Sequence, residues 1–257
     1  MGRTDSPTKE RADKQTADNG DPRQSGTALA NYNYTTSCER ICDWGGARNR
    51  AHRTSEGLTD GQVESILQAA SFAFQTGRTF QRHWIIHYGK AGIDEKNGAQ
   101  FVSRVLALVR KQARREGGAL TALWVRERAS DKGEHVHILL HLPAAMRLHG
   151  RTRRWIEAAG GKWQPGVSRI TIVGGLLSKQ EAKNGGHHGR NASQVVRYLL
   201  KASSTETGER LDLTRSGLVG RIIGKRCGWT QNIGAKARGV FSRTIKVRSS
   251  ASPKRNC

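Results

Sequence analysis

The sequence has little that is typical of a membrane protein or of an oxidised, secreted protein. No apolar run approaches the roughly 20 residues of a membrane-spanning helix, and the first residues lack the charged-then-apolar order of a signal peptide. The four cysteines, Cys38, Cys42, Cys227 and Cys257, are too few and too scattered for a disulfide framework. Cys38 and Cys42 are separated by three residues, but no second close pair completes a zinc site. These absences predict a cytoplasmic protein with reduced thiols and no membrane partner.

Acidic residues are also scarce. The chain of 257 residues has 21 Asp and Glu against 44 Lys and Arg, which gives a formal net charge of +23. A surplus of this size repels itself unless the partner is a polyanion. The charge therefore favours nucleic acid as the partner. Composition alone leaves a merely soluble basic protein, or a ribosome-associated one, as alternatives.

The two ends of the chain differ from its middle. Residues 1–35 are polar, mixed in charge and free of Trp and Phe, so they cannot bury enough apolar surface to offset the entropy of ordering, and a disordered arm is predicted. Residues 36–78 are predicted to form an N-terminal extension with a short helix at 58–73, started by Thr59 or Asp60. Residues 206–257, rich in Gly, Lys and Arg, are predicted to form a basic C-terminal extension that contacts DNA.

The middle of the chain alternates between strand and helix patterns. The periodicity predicts strands at 83–89, 120–128, 135–143 and 168–175, and helices from 98 to a stop at Gly117, at 144–159 and at 191–204. Asn191 or Ser193 is the expected cap of the last helix. This order predicts an α+β fold, with an antiparallel sheet and flanking helices mainly on one of its faces.

Histidines alternate with apolar residues in the segment HVHILLH. A regular hairpin turn after the preceding strand would place Glu127 opposite His135 and Val125 opposite His137, and directly opposed residues point to the same face of a sheet. A carboxylate beside two imidazoles on rigid strands forms a three-ligand metal site with open positions. The prediction depends on the register, because a slip of one residue would move Glu127 to the other face. The alternative is that both histidines are structural and pair with Glu127 or with the backbone.

Three further histidines lie near this pattern. His141 is two strand steps beyond His137, and we expect it to be a sheet-end residue or a phosphate contact. His83 and His87 on the first strand are reserve ligands, and His87 could complete the site if Glu127 does not.

The last predicted helix carries a tyrosine outside its apolar stripe. At 100° per residue the stripe is formed by Val195, Val196, Leu199 and Leu200, and the opposite side by Gln194, Arg197, Tyr198 and Lys201. Tyr198 and Lys201 are one turn apart, so the ammonium can stabilise negative charge on the phenol oxygen. Taken alone, the pattern favours an exposed tyrosine that stacks on a base.

Together, these motifs resemble the HUH endonuclease superfamily, and within it the single-tyrosine rolling-circle replication initiators. The resemblance is carried by His135-Val136-His137, by Glu127 on the preceding strand, and by Tyr198 with Lys201. It implies an HUH-type nuclease domain with an HUH/RRM-like palm over residues 79–205.

The resemblance also implies a function in initiating plasmid replication. Tyr198 would attack a single-stranded DNA phosphodiester and form a 5′-phosphotyrosine, Lys201 would neutralise charge, and His135, His137 and Glu127 would hold Mg²⁺ or Mn²⁺. No glycine-rich Lys-Ser/Thr loop is present, so a host helicase and polymerase are expected partners on origin DNA. The predicted nucleic-acid-binding residues are Arg197, Lys225, Arg226, Arg110 and Arg114. Trp124 and Trp229 are candidate base platforms, with plain packing favoured for Trp124.

Two alternatives to this function stay open. A tyrosine transposase of the same superfamily would use the same chemistry in a dimer that exchanges tyrosines. A nucleic-acid-binding protein without catalysis would use its histidines only for structure.

Overall fold

The structure is a computed structural model that describes residues 52–173, 186–213 and 220–241, without the side chains of residues 186–188. The predicted disordered arm, the Cys38–Cys42 pair and the end of the basic tail lie outside the described residues. Among the residues described, no helix is long and apolar enough to cross a membrane.

The core of the fold is a five-stranded antiparallel sheet flanked by helices, which confirms the predicted α+β class. Its strands are β2 (Arg82–His87), β3 (Thr121–Ala129), β4 (Gly133–His141), β5 (Ser168–Ile172) and β7 (Cys227–Trp229), in the spatial order β5-β2-β4-β3-β7. Two short strands, β1 (Thr54–Ser55) and β6 (Ile222–Ile223), pair separately.

The β3–β4 hairpin has the register that the sequence predicts. Glu127 pairs with His135 and Val125 with His137. The turn between the strands ends at Gly133, whose φ of 62° lies in the left-handed region that favours glycine. This register places Glu127 and both histidines on the same face of the sheet.

One face of the sheet, which we call the apolar face, packs against two helices. Trp84, Ile138 and Leu140 belong to a buried cluster together with side chains of α3 (Gly98–Arg115) and α4 (Thr152–Ala158). The α3 residues predicted to form an apolar stripe are all buried: Phe101, Val102, Val105, Leu106, Val109 and Ala113.

The opposite face, which we call the histidine face, has its own helices. The helix α1 (Asp60–Gln75) begins at a capping box between Thr59 and Gln62, and it contacts β3, β7 and α5 (Gly186–Leu199). Leu123 and Leu139 point to this face and are fully buried. The expectation that helices lie mainly on one face is therefore wrong, because this face also has apolar surface to bury.

Parts of both predicted extensions belong to the layered fold. The helix α1 comes from residues 36–78, and β7 from residues 206–257 adds a strand beside β3. A strand of three residues with a central glycine, Gly228, gives almost no periodic signal in the sequence.

Other element boundaries differ from the predictions. The helix predicted at 144–159 is only α4, because Met146 and Leu148 enter the core from an irregular segment that includes Gly150 at a φ of 76°. The last predicted helix begins earlier, at Gly186, so Asn191 and Ser193 are not its caps, and it ends in a 3-10 turn, Leu200–Ala202. Two short helices follow other elements: α2 (Tyr88–Ala91) after β2 and α6 (Thr205–Arg210) after the 3-10 turn.

Candidate metal centre

The three predicted metal ligands lie together on the histidine face. Glu127, His135 and His137 are all buried, and one ligand atom from each lies within 4.8 Å of the others. Oε2 of Glu127 is 3.3 Å from Nε2 of His137, and Oε1 is 4.0 Å from Nε2 of His135. The β-sheet fixes all three side chains, because they come from directly paired strands.

The backbone sets the tautomer of His135. Its Nδ1 lies 3.1 Å from the carbonyl oxygen of Gly133. A carbonyl only accepts hydrogen bonds, so Nδ1 carries the proton and Nε2 directs a lone pair towards Glu127. Burial and the nearby His137 lower the pKa of His135 to about 4, so the ring is neutral at pH 7.

His83 lies behind His137 as its hydrogen-bond partner. Nε2 of His83 is 2.9 Å from Nδ1 of His137, and the rings are stacked with centroids 5.1 Å apart. Burial is the main reason that the pKa of His83 falls to about 3, so this ring is neutral as well. If His137 donates from Nδ1 to His83, its Nε2 is left with a free lone pair.

The remaining histidines do not join the three ligands. The ring of His87 lies 5.3 Å from that of His135, and burial, followed by Lys90, lowers its pKa. Nδ1 of His141 is 2.9 Å from the carbonyl oxygen of Thr79, which fits a sheet-end residue.

Tyr198 and Lys201 reach this cluster from α5 and the turn that follows it. The ammonium of Lys201 lies 2.6 Å from the Tyr198 hydroxyl and 2.9 Å from Oε1 of Glu127. The Tyr198 ring is 43% exposed and meets the His137 ring edge-on, with centroids 5.6 Å apart. Val196 and Leu199 of the predicted apolar stripe are buried, which turns Tyr198 outward. Two segments far apart in the sequence therefore converge on one carboxylate.

This carboxylate is held in its ionised form. Burial raises the pKa of Glu127, but His137 and Lys201 lower it by more, to about 2. Glu127 is therefore charged at neutral pH and available as an anionic ligand.

The residues fit a bound metal ion. Nε2 of His137 is buried and has no hydrogen-bond partner among the described residues, although it lies beside a carboxylate. An unprotonated nitrogen facing an anion is unfavourable unless a cation lies between or beside them. Two imidazoles and one carboxylate are a common ligand set for divalent metals, and they leave coordination positions open. The group can hold a metal ion, and the donor atoms do not select one metal.

The predicted nucleic-acid contacts have different outcomes. Arg226 is wrong as a direct contact: it is 1% exposed, and its guanidinium donates to Ser55 and to the carbonyl oxygen of Gly220. Arg197 donates to the carbonyl oxygens of Leu211 and Asp212, so it anchors α5.

Three other predicted contacts are accessible. Lys225 is exposed, with its ammonium 5.7 Å from the ring centre of Trp124. Arg110 and Arg114 are also exposed, but they lie on α3, which packs on the apolar face and not beside the histidines. Trp124 itself is buried in the core, as the packing interpretation predicts.

Two features of the site region were missed in the sequence. One is the partnership of His83 with His137, which the alternation of the RHWIIH segment places on the correct face but not next to a particular strand. The other is the buried ion pair of Arg126 and Glu134, whose Nε and Oε1 are 2.7 Å apart on the apolar face.

Comparison of the chain with family models, with curated proteins and with solved structures gave no match. The functional argument therefore depends on the geometry of the site.

Proposed function

We propose that the protein is a metal-dependent endonuclease that nicks single-stranded DNA and keeps the 5′ end on Tyr198, as a replication initiator would. The observation that carries the proposal is Lys201, which contacts both the only exposed tyrosine among the described residues and the carboxylate of the candidate metal centre.

In this mechanism the phenol oxygen of Tyr198 attacks the scissile phosphorus and the bond to the 3′ oxygen breaks. The phenol loses its proton and the leaving 3′ oxygen gains one, so a 5′-phosphotyrosine and a free 3′-hydroxyl remain. Lys201 donates a hydrogen bond to the phenol oxygen, which stabilises the negative charge needed for attack.

The ligands have a positioning role in the same reaction. Glu127, His135 and His137 would hold a divalent ion, Mg²⁺ or Mn²⁺ by resemblance, which would polarise a phosphate oxygen when bound. The hydrogen bonds from Gly133 and His83 keep the two imidazoles in fixed orientations beside the phenol. Origin DNA, a host helicase and polymerase, and a cytoplasmic location are parts of the same proposal.

The test is an adduct assay. The protein is incubated with Mn²⁺ and labelled single-stranded fragments from the origin of its own replicon, and covalent protein–DNA adducts are separated in denaturing gels. We expect adducts with the wild type and with Tyr34→Phe, a matched loss of one hydroxyl far away in the sequence. Tyr198→Phe should give none while its DNA affinity is unchanged.

Two results would count against the proposal. Adducts that persist in Tyr198→Phe would remove this residue as the nucleophile. DNA binding without any adduct would favour the non-catalytic alternative, in which the hydrogen bonds of His135 and His137 have only a structural role. The transposase alternative predicts a dimer, which the mass of the protein in solution would reveal.

A further inference from the structure

A cavity at the β5 edge of the apolar face has no role in the proposed chemistry. Its volume is about 690 Å³, within the range of about 300–1,000 Å³ that is usual for ligand sites. Met146 and Leu148 are buried in its wall, and Ile170 of β5 contributes a further apolar side chain. The inner surface of this cavity is therefore suited to a flat apolar group.

The rim of the cavity is basic and exposed. Arg147, Arg153 and His149 are exposed on it, Arg82 is half-buried, and no Asp or Glu lines the cavity. Arg153 pairs with Glu157 at 3.0 Å, but both side chains are exposed, and such pairs contribute little. The rim therefore favours an anionic ligand.

Trp163 adds an aromatic surface to this rim. It is 36% exposed and is the only tryptophan among the described residues that is classed as exposed. An accessible indole beside arginines is the arrangement with which proteins bind single-stranded nucleic acid, because a base stacks on the ring while the phosphates pair with the guanidinium groups.

We propose that this cavity binds nucleotides of a single-stranded nucleic acid, with a base on Trp163 and phosphates on Arg147 and Arg153. The charge of +23 on the whole chain agrees with a polyanionic ligand. An acidic peptide would satisfy the arginines but would gain nothing specific from an exposed indole.

The cavity also lies on a short path from the metal centre, and this part of the inference rests on the proposed function. Arg82 lines the cavity, and the next residue, His83, points to the other face and contacts His137. The strand β5 is the outermost strand of the described sheet on this side, and Arg169 is exposed on its histidine-face side. A DNA strand at His137 crosses only two strand spacings, roughly 10 Å, to pass this edge. The cavity would then hold nucleotides near the scissile phosphate.

The binding test uses the full chain with Tyr198→Phe, so that no reaction occurs, and a fluorescein-labelled oligothymidine without metal. Fluorescence anisotropy at fixed salt gives the affinity, and quenching of tryptophan emission reports stacking. Trp163→Ala should weaken binding by about 5- to 150-fold and reduce the quenching, because stacking contributes about 1–3 kcal/mol per base. Trp163→Phe keeps a ring and should retain most of the affinity.

A double variant tests the arginines against matched charges elsewhere. Arg147→Gln with Arg153→Gln should weaken binding and reduce the salt dependence by about 0.7 per lost phosphate contact. Arg110→Gln with Arg114→Gln removes the same charge from α3 and should change the affinity much less. Equal losses in the two double variants, or an unchanged affinity in Trp163→Ala, would overturn the proposal, as would equal displacement of the DNA by oligoglutamate.

The path to the metal centre is tested in the reactive chain with Tyr198 intact. Trp163→Ala should raise KM for origin DNA and leave kcat unchanged. An unchanged KM would overturn the path while the binding data still stand. Absence of adducts in every variant would contradict the proposed function without affecting the oligothymidine result.

Discussion

The two faces of the sheet are built from the same strands, yet they have opposite chemistry. On β4, Val136 and Ile138 enter the apolar face while His135 and His137 enter the histidine face. Successive side chains of a strand alternate between faces, so one segment serves both. The comparison teaches that packing on one side fixes polar groups on the other, which is how a site acquires rigid geometry.

The contrast has one exception, the buried Arg126–Glu134 pair on the apolar face. Glu134→Leu should lower the free energy of unfolding by about 3–5 kcal/mol, because Arg126 would keep a buried charge without its partner. Urea titration measures the loss. Asp131→Asn removes a carboxylate from an exposed pair in the same hairpin and should have almost no effect. A loss below 1 kcal/mol in Glu134→Leu would show that the backbone carbonyls around Arg126 suffice.

Ile138→Ala tests whether the faces are independent. Truncation in a packed core should cost about 2–5 kcal/mol of stability, but the side chain points away from the ligands. We expect the variant to keep the stabilisation by Mn²⁺, about 2.7 kcal/mol at a hundredfold excess over Kd. His137→Ala should lose it entirely. Equal weakening of Mn²⁺ binding in both variants, measured by calorimetry, would contradict the comparison.

Acid should destabilise the histidine face of the metal-free protein. The pKa values of His83 and His135 fall to about 3 and 4 in the folded chain, whereas unfolded histidines titrate near 6.5. Between these values the unfolded chain binds more protons, so stability falls as the pH decreases from 6.5 to 4, by about 2–4 kcal/mol. Urea titrations in the presence of EDTA measure this dependence. The slope should be smaller in His83→Leu, and an unchanged slope would contradict the assignment.

The smallest expected effect concerns the partner of His137. His83→Leu removes the hydrogen bond to Nδ1 and should weaken Mn²⁺ binding by about 10- to 100-fold, as is usual when the partner of a metal-bound histidine is lost. His87→Leu is the matched control on the same strand and face, and we expect no measurable change. If the two variants bind Mn²⁺ equally well, His83 has no positioning role.

The candidate site was largely predictable because it depends on local geometry. Turn length fixed the pairing of Glu127 with His135, and helical periodicity brought Tyr198 and Lys201 together. The proximity of the helix to the strands was suggested only by the resemblance, since no local pattern encodes contacts between distant segments.

The errors have a common physical origin in tertiary packing. Gly228 allows β7 to approach β3 because a Cβ there would lie 2.8 Å from the Trp124 ring, a fit that no periodicity reveals. Lys225 and Arg226 are adjacent and equally basic in the sequence, yet one is exposed and the other buried. Composition cannot distinguish them, whereas alternation beside a strand could have suggested that one points inward.

The guanidinium of Arg126 has a consequence for how this gene can be shortened. Its Nη1 donates to the carbonyl oxygens of Ile223 and Lys225 at 2.7 and 3.0 Å, so β3 and a segment nearly a hundred residues later depend on each other. A polypeptide that stops near residue 205 would contain every proposed reactive group and still leave this arginine without those acceptors. The smallest autonomous unit therefore extends through Trp229, and loss of the distal exon-sized piece should give an insoluble product instead of a minimal enzyme.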